Sequence, residues 1–416
     1  MVIFMSRLTK FFIKAFIALV FVGAAILIYF HFYATPDSHI VPERVPRTPA
    51  PTESEDIEYL DPIYWSDLIW YDGVFELPIS GSTGFAPIAT NVHVMASVDS
   101  EVFMTLTPGQ GFRIISESGD WWSILVGEEE GFVKHAAMFI NMPDVIPSIR
   151  YRITNASSSL KRSTGVDIPG ITGAQLYSAW SFNERLGRYE YIVPVFYATA
   201  KLIAEAQRSA LSLTEGPTVR DAVTGGRRQM TVGGHTIIMY EAFRPRSTQR
   251  LAASSLQSLA AVNSVVNAGV NTDPWSLTWF ISTGISNHQR GTAVDVSFGY
   301  FLEGSAHKAI RNSGNFAFYE VLELQDRNMP TAMHELSMRA ISFTQPGGTV
   351  NARTMTDEAL ELRRIFMDAG FSPLASEWWH FNDLVNTETA RIHGLNGDFY
   401  TETIYSVAPW TDGGGD

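Results

Sequence analysis

Two short segments, far apart in the chain, both carry residues suited to binding a metal ion, and any fold that uses them must bring the segments together. The first, Ser286-Asn287-His288-Gln289-Arg290-Gly291-Thr292-Ala293-Val294-Asp295, fits the pattern S-x-H-x-x-G-x-A-x-D. The second, Glu377-Trp378-Trp379-His380, fits E-x-W-H. His288 offers a neutral imidazole and Asp295 an anionic oxygen, both good ligands for Zn²⁺. Gly291 allows a turn that brings the two ligands together. Val294, Val296 and Phe298 alternate with Ala293, Asp295 and Ser297, so a strand here puts Asp295 on the face opposite the apolar trio. His380 completes a His₂Asp set, and three protein ligands with an open fourth position mark a catalytic rather than a structural zinc site. Glu377 is close enough to reach water on the metal without being a ligand, and is expected as the catalytic acid/base. The H-E-x-x-H pattern is absent, which excludes a thermolysin-like helix site. The remaining histidines, His334 among them, read as structural, and Trp378 and Trp379 as packing residues that wall the site.

Composition narrows the classes of partner. The chain has 416 residues, of which 45% are apolar and 18% charged, so most of it should bury a core. A net charge of −13 argues against nucleic acid, whose phosphates need a basic surface. There is no cysteine, so disulfides, Cys-ligated zinc, thiolate catalysis and a lipoprotein anchor are all excluded.

Along the chain, residues 15–30 form an uncharged apolar run preceded by Arg7, Lys10 and Lys14. Its length and flanks predict an N-terminal cytoplasmic stub and transmembrane anchor over residues 1–33, with everything after it outside the cytoplasm. A cleaved signal peptide normally has a shorter apolar stretch, and Tyr33-Ala34-Thr35-Pro36 is a poor cleavage site. Proline, Ser, Thr and Glu make residues 34–84 an extended linker. Over 85–141, short β-prone runs alternate with turn signals and predict a small all-β unit. Residues 142–416 read as α+β. Helical spacing is seen over 193–211, 247–266 and 354–370, a strand over 236–243, and a disordered C-terminal end is expected.

The turn Gly119-Asp120-Trp121 and the late strand Gly131-Phe132-Val133 resemble those of bacterial SH3-like domains, which implies a small barrel and cell-wall contact, with Trp121 and Trp122 either forming a binding platform or one of them serving as core. The two metal-ligand segments resemble those of the zinc D-alanyl-D-alanine dipeptidases and carboxypeptidases of the VanX and VanY type, over about residues 142–385. The resemblance implies an α+β fold with a small central antiparallel sheet flanked by helices. It also implies one Zn²⁺ held by His288, Asp295 and His380, with Glu377 as acid/base. Glu241-Ala242-Phe243-Arg244-Pro245 resembles the family's D-G-Y-R-P segment, placing Arg244 at its transition-state arginine. Ser286 matches a serine that helps bind the substrate. Asn328-Met329-Pro330-Thr331 stands in place of an Asp-Met-Gly-Thr segment whose acid binds a free ammonium. Asn328 lacks that charge, and Asp326 and Glu335 lie near. The implied substrate is a peptidoglycan stem peptide ending in D-Ala-D-Ala. A dipeptidase, an endopeptidase and a non-catalytic wall-binding protein remain as alternatives.

Overall fold

The computed structural model describes residues 70–71, 74–75, 79–153, 180–220, 225–311 and 316–402. Its axis is the strand Ala293–Phe301, every residue of which is buried. Gly234–Glu241 pairs antiparallel with it on one side, and His380–Asn382 and Gln325–Asp326 on the other. Arg150–Tyr151, parallel to Gly234–Glu241, and Ser372–Pro373 complete a six-stranded sheet. The alternation in the sequence predicts one apolar face and one polar face. The helices Tyr197–Ser212 and Asp357–Asp368 pack on the sheet and on each other, and Asp295 and Ser297, on the face opposite the apolar trio, are buried as well.

The helix Asp357–Asp368 starts where the sequence suggests, with the Thr356 hydroxyl accepting from the Ala359 amide at 3.2 Å. Gly370, at φ 100°, stops it. The expected helix over 193–211 begins later, at Tyr197, because Pro194–Phe196 is drawn into a sheet by pairing with Phe139–Asn141. The expected helix over 247–266 is broken at Asn263, which caps a second helix, Ser264–Val270.

The anticipated architecture needs correction. It called for α+β with a small central antiparallel sheet, a separate small all-β barrel and a transmembrane helix. The central sheet has six strands and is mixed, and a second, antiparallel sheet of eight strands takes the place of the barrel. That sheet runs Pro194–Phe196, Phe139–Asn141, Thr83–Phe85, Gly111–Ser118, Trp121–Val126, Glu129–Lys134, Thr90–His93, Val102–Leu106. Local turn signals delimit hairpins but cannot announce an edge strand contributed from beyond the next segment. Trp122 is fully buried in the sheet's core, and Trp121 is half-buried edge-on against His93. Among the described residues no helix is long and apolar enough to cross a membrane. The apolar run at 15–30 lies outside them, as does most of 34–84, within which only two short paired strands, Trp70–Tyr71 and Val74–Phe75, are described.

The two large sheets share one core and meet at the first metal-ligand segment. Phe139 packs edge-on against Phe196 and Phe243, and the Phe196 amide donates to the Gly291 carbonyl at 2.9 Å. Gly291 has φ 68°, and a Cβ there would sit 2.8 Å from the Phe139 ring and 2.9 Å from the Phe196 nitrogen. Glycine is thus required both for the turn and for the close approach of a neighbouring strand. Gly291→Ala is expected to lower stability by about 1–2 kcal/mol through the left-handed backbone alone, and further through the clash. Thermal melting of the metal-free protein checks this, since an unchanged melting temperature would contradict it.

Candidate metal centre

Sheet register builds the centre. Glu241, Asp295 and His380 are direct partners on three adjacent strands, so their side chains rise from one face at neighbouring positions. His288 comes from the one-turn helix Asn287–Arg290 that enters the central strand, which Gly291 closes in the left-handed conformation. The turn carries His288 back over Asp295. His288 Nε2 lies 3.1 Å from His380 Nδ1 and 3.4 Å from Asp295 Oδ1, and His380 Nδ1 lies 2.9 Å from that same oxygen.

Hydrogen bonds around these atoms fix which lone pairs converge. His288 Nδ1 faces the Ala242 carbonyl at 2.7 Å, which only accepts, so the proton sits on Nδ1 and Nε2 presents a lone pair. A longer chain does the same for His380. Arg290 can only donate, and its Nη1 meets Asn287 Oδ1 at 3.3 Å. Asn287 therefore donates through Nδ2 to Asn382 Oδ1 at 2.8 Å, and the latter oxygen also accepts from His380 Nε2 at 3.0 Å. With neutral imidazoles, two nitrogen lone pairs and a carboxylate oxygen then face one another with no proton between them. Such a cluster needs a cation at its centre, either an extra proton on His380 or a metal ion. His288, Asp295 and His380 are all buried and form a group able to hold a metal ion.

The electrostatics agree. Burial lowers the pKa of His288 and keeps it neutral. Burial opposes ionisation of Asp295, but hydrogen bonds from His334 and a protonated His380 hold its carboxyl well below the usual range. Burial also opposes protonation of His380, yet the bond and charge of Asp295 raise it, so the metal-free centre takes up a proton there. Glu377 stands beside the cluster, with Oε2 3.9 Å from His380 Nδ1, and burial pushes its carboxyl up to about 8. A divalent ion would displace the His380 proton and favour ionised Glu377. Loading the metal-free protein at pH 7 is therefore expected to release protons. Calorimetry in two buffers of different ionisation enthalpy reads that release, and Glu377→Gln should diminish it. Identical heats in both buffers would contradict the assignment.

Arg244 lines the same cavity as Glu377. Its guanidinium pairs with both oxygens of Glu241, reaches Gln249 Oε1 at 2.6 Å and comes within 3.6 Å of Asp295 Oδ2. Burial works against the charge, but Glu241 first, then Asp295 and Glu377, keep Arg244 protonated. Glu241, Asp295 and His334 form a second group of possible metal ligands, lying within 4.8 Å of one another. That corner already holds a cation, the guanidinium of Arg244.

A cavity of about 310 Å³ opens over the cluster, large enough for a small ligand. Arg244, Ser286, His288, Asp295, Glu377 and His380 all line it. Asn328 does not. It is exposed, and its carbonyl accepts from the Thr356 hydroxyl. Asp326 is turned away as well, paired with Arg152, and Glu335 accepts from Ser337. Sequence reasoning missed His334, which was read as structural yet bonds Asp295 Oδ2 at 3.0 Å, and it missed Asn287, Asn382 and Glu241. Asn287 occupies a free position of its motif, and nothing in the spacing marks His334.

No protein-family model matches the chain, and no curated protein matches it.

Proposed function

We propose that the chain is a zinc peptidase that hydrolyses the terminal D-Ala-D-Ala bond of peptidoglycan stem peptides, as a D,D-carboxypeptidase. The observation that carries the reading is the meeting of two nitrogen lone pairs and one carboxylate oxygen beside a buried carboxyl of raised pKa, in a cavity that also contains an arginine. Two histidines and a carboxylate suit Zn²⁺ with a position left open. When bound, the ion polarises the scissile carbonyl and favours deprotonation of the attacking water.

The chain's own residues do the rest. Glu377 takes a proton from the water as its oxygen bonds to the carbonyl carbon. It returns that proton to the amide nitrogen as the C–N bond breaks, leaving a carboxylic acid and a free D-alanine. A carboxyl whose pKa stands near neutrality can work in both directions. Arg244, a fixed donor fork, is placed for the oxyanion or for the substrate's terminal carboxylate.

A polymer-linked substrate is favoured over the free dipeptide by what the cavity wall omits. Among the described residues, its carboxylates are Asp295 and Glu377, both engaged in the centre, so none is left to bind a free ammonium. The test is to incubate the full chain with a stem pentapeptide ending in D-Ala-D-Ala and with the free dipeptide, each with and without chelator. The expected result is chelator-sensitive release of D-alanine from the pentapeptide, with little from the dipeptide. Absence of metal-dependent release from either would overturn the proposal.

A further inference from the structure

We infer that His334 is a positioning residue that holds Asp295 to one oxygen at the metal, an inference that rests on the reading of the centre as a metal site. A carboxylate only accepts, so the 3.0 Å contact between His334 Nε2 and Asp295 Oδ2 is an N–H donation from the histidine. That bond engages Oδ2 and leaves Oδ1 as the oxygen facing His288 and His380. A carboxylate that is free to pivot can offer a metal both oxygens. One tied by a buried donor offers one.

Two further features fit that role. It is the only non-glycine residue with positive φ among the described residues, at 59°, a conformation that a histidine adopts at a cost. Such a backbone persists where surrounding structure imposes it. Here the second metal-ligand segment does so. Trp378 Nε1 donates to Thr331 Oγ1 at 2.9 Å, tying down the loop that bears His334, and the Trp379 ring stands edge-on to the imidazole at 5.9 Å. Of the paired tryptophans between Glu377 and His380, Trp379 lines the cavity, and both brace the loop that bears His334. They set the residue that orients the third ligand.

The Arg244 guanidinium, 3.6 Å from the same Oδ2, is the reason to assign His334 to Asp295 rather than to a second metal ion. Outer-shell partners of this kind typically change metal affinity by about 10–100-fold when removed. The experiment compares wild type with His334→Ala, His334→Asn and His334→Gln. Metal affinity is measured by competition with a chromophoric chelator, and coordination number by the visible spectrum of the Co²⁺-loaded protein. Circular dichroism of each metal-free protein checks folding.

Wild type is expected to bind a single Co²⁺ with the intense bands of a four-coordinate site. His334→Ala should lose about 10–100-fold in affinity, with weaker bands as Oδ2 swings to the metal. Glutamine, which can still donate to Oδ2, should restore both to near the wild-type level. Asparagine accommodates the left-handed backbone but is too short to reach, and it serves as the non-donating variant if alanine does not fold. An unchanged affinity and spectrum in the non-donating variants would overturn the role, as would loss of a second bound equivalent, which would make His334 a ligand. Failure of wild type to bind any metal would instead overturn the reading of the centre, and this inference with it.

Discussion

Glu377→Gln is expected to lower kcat for release of D-alanine by about 10²–10⁴-fold while leaving metal content unchanged. Glutamine keeps the volume and the burial of the side chain but cannot carry the proton between water and leaving amine. Among the described residues, Asp295 is the other carboxylate on the cavity wall, and its oxygens are committed to three imidazoles. The pH profile gives a second reading of the same residue. Only the ionised carboxyl can accept the first proton, so kcat/KM should rise as pH rises through the pKa of Glu377. Burial sets that value at about 8 in the metal-free centre, and a nearby dication lowers it. The acid limb of the profile should vanish from the residual activity of the variant. If the variant matches wild type in kcat, Glu377 is not the group that carries the proton.

Arg244→Met is expected to be the most destabilising single change at the centre, by about 3–5 kcal/mol, because it strands a buried charge. The Glu241 side chain is fully buried, and its two oxygens are both taken by the guanidinium. Gln249 also loses the bond to its Oε1. The double variant Glu241→Met with Arg244→Met removes both charges and should recover most of the lost stability. It should not recover activity, since the arginine proposed to bind the oxyanion or the substrate's terminal carboxylate is still missing. Urea unfolding of the metal-free proteins, run beside the D-alanine assay, separates the two effects. A stable single variant would show that Glu241 finds another partner, and an active double variant would remove Arg244 from the chemistry.

The residues able to hold a metal ion were legible in the sequence for a physical reason. A turn closed by glycine and an alternating strand fix His288 relative to Asp295 with local geometry alone. His380 is legible only through the E-x-W-H pattern downstream of that segment, and the structure adds that its strand lies beside Asp295 in the sheet. The residues that orient these ligands were not legible, because they act through the third dimension. Asn287 and Arg290 sit at positions where the motif allows anything, yet they set the tautomer of His380 through Asn382. His334 lies in a loop with no periodicity to mark it. Asn328 was singled out on position in a resembling segment, and the chain instead turns it outward against Thr356. The helices were found where apolar spacing is helical, but Pro194–Phe196 shows pairing across a sheet overriding that spacing. Sheet size was beyond reach for a related reason. Strand neighbours such as Phe139–Asn141 and Pro194–Phe196 are separated by a long intervening stretch that carries no sign of their pairing.

The bond between the Phe196 amide and the Gly291 carbonyl bears on how a chain of this kind can be altered or recombined. The strand that ends at Phe196 is an edge of the eight-stranded sheet, and the glycine it touches closes the turn that carries His288. The β-rich portion is therefore no transplantable cassette. A donor sheet with a different edge, or with a bulkier residue at Phe139, would press on the turn and shift a ligand. A hybrid that ignores this contact is expected to shift His288 away from Asp295 and His380.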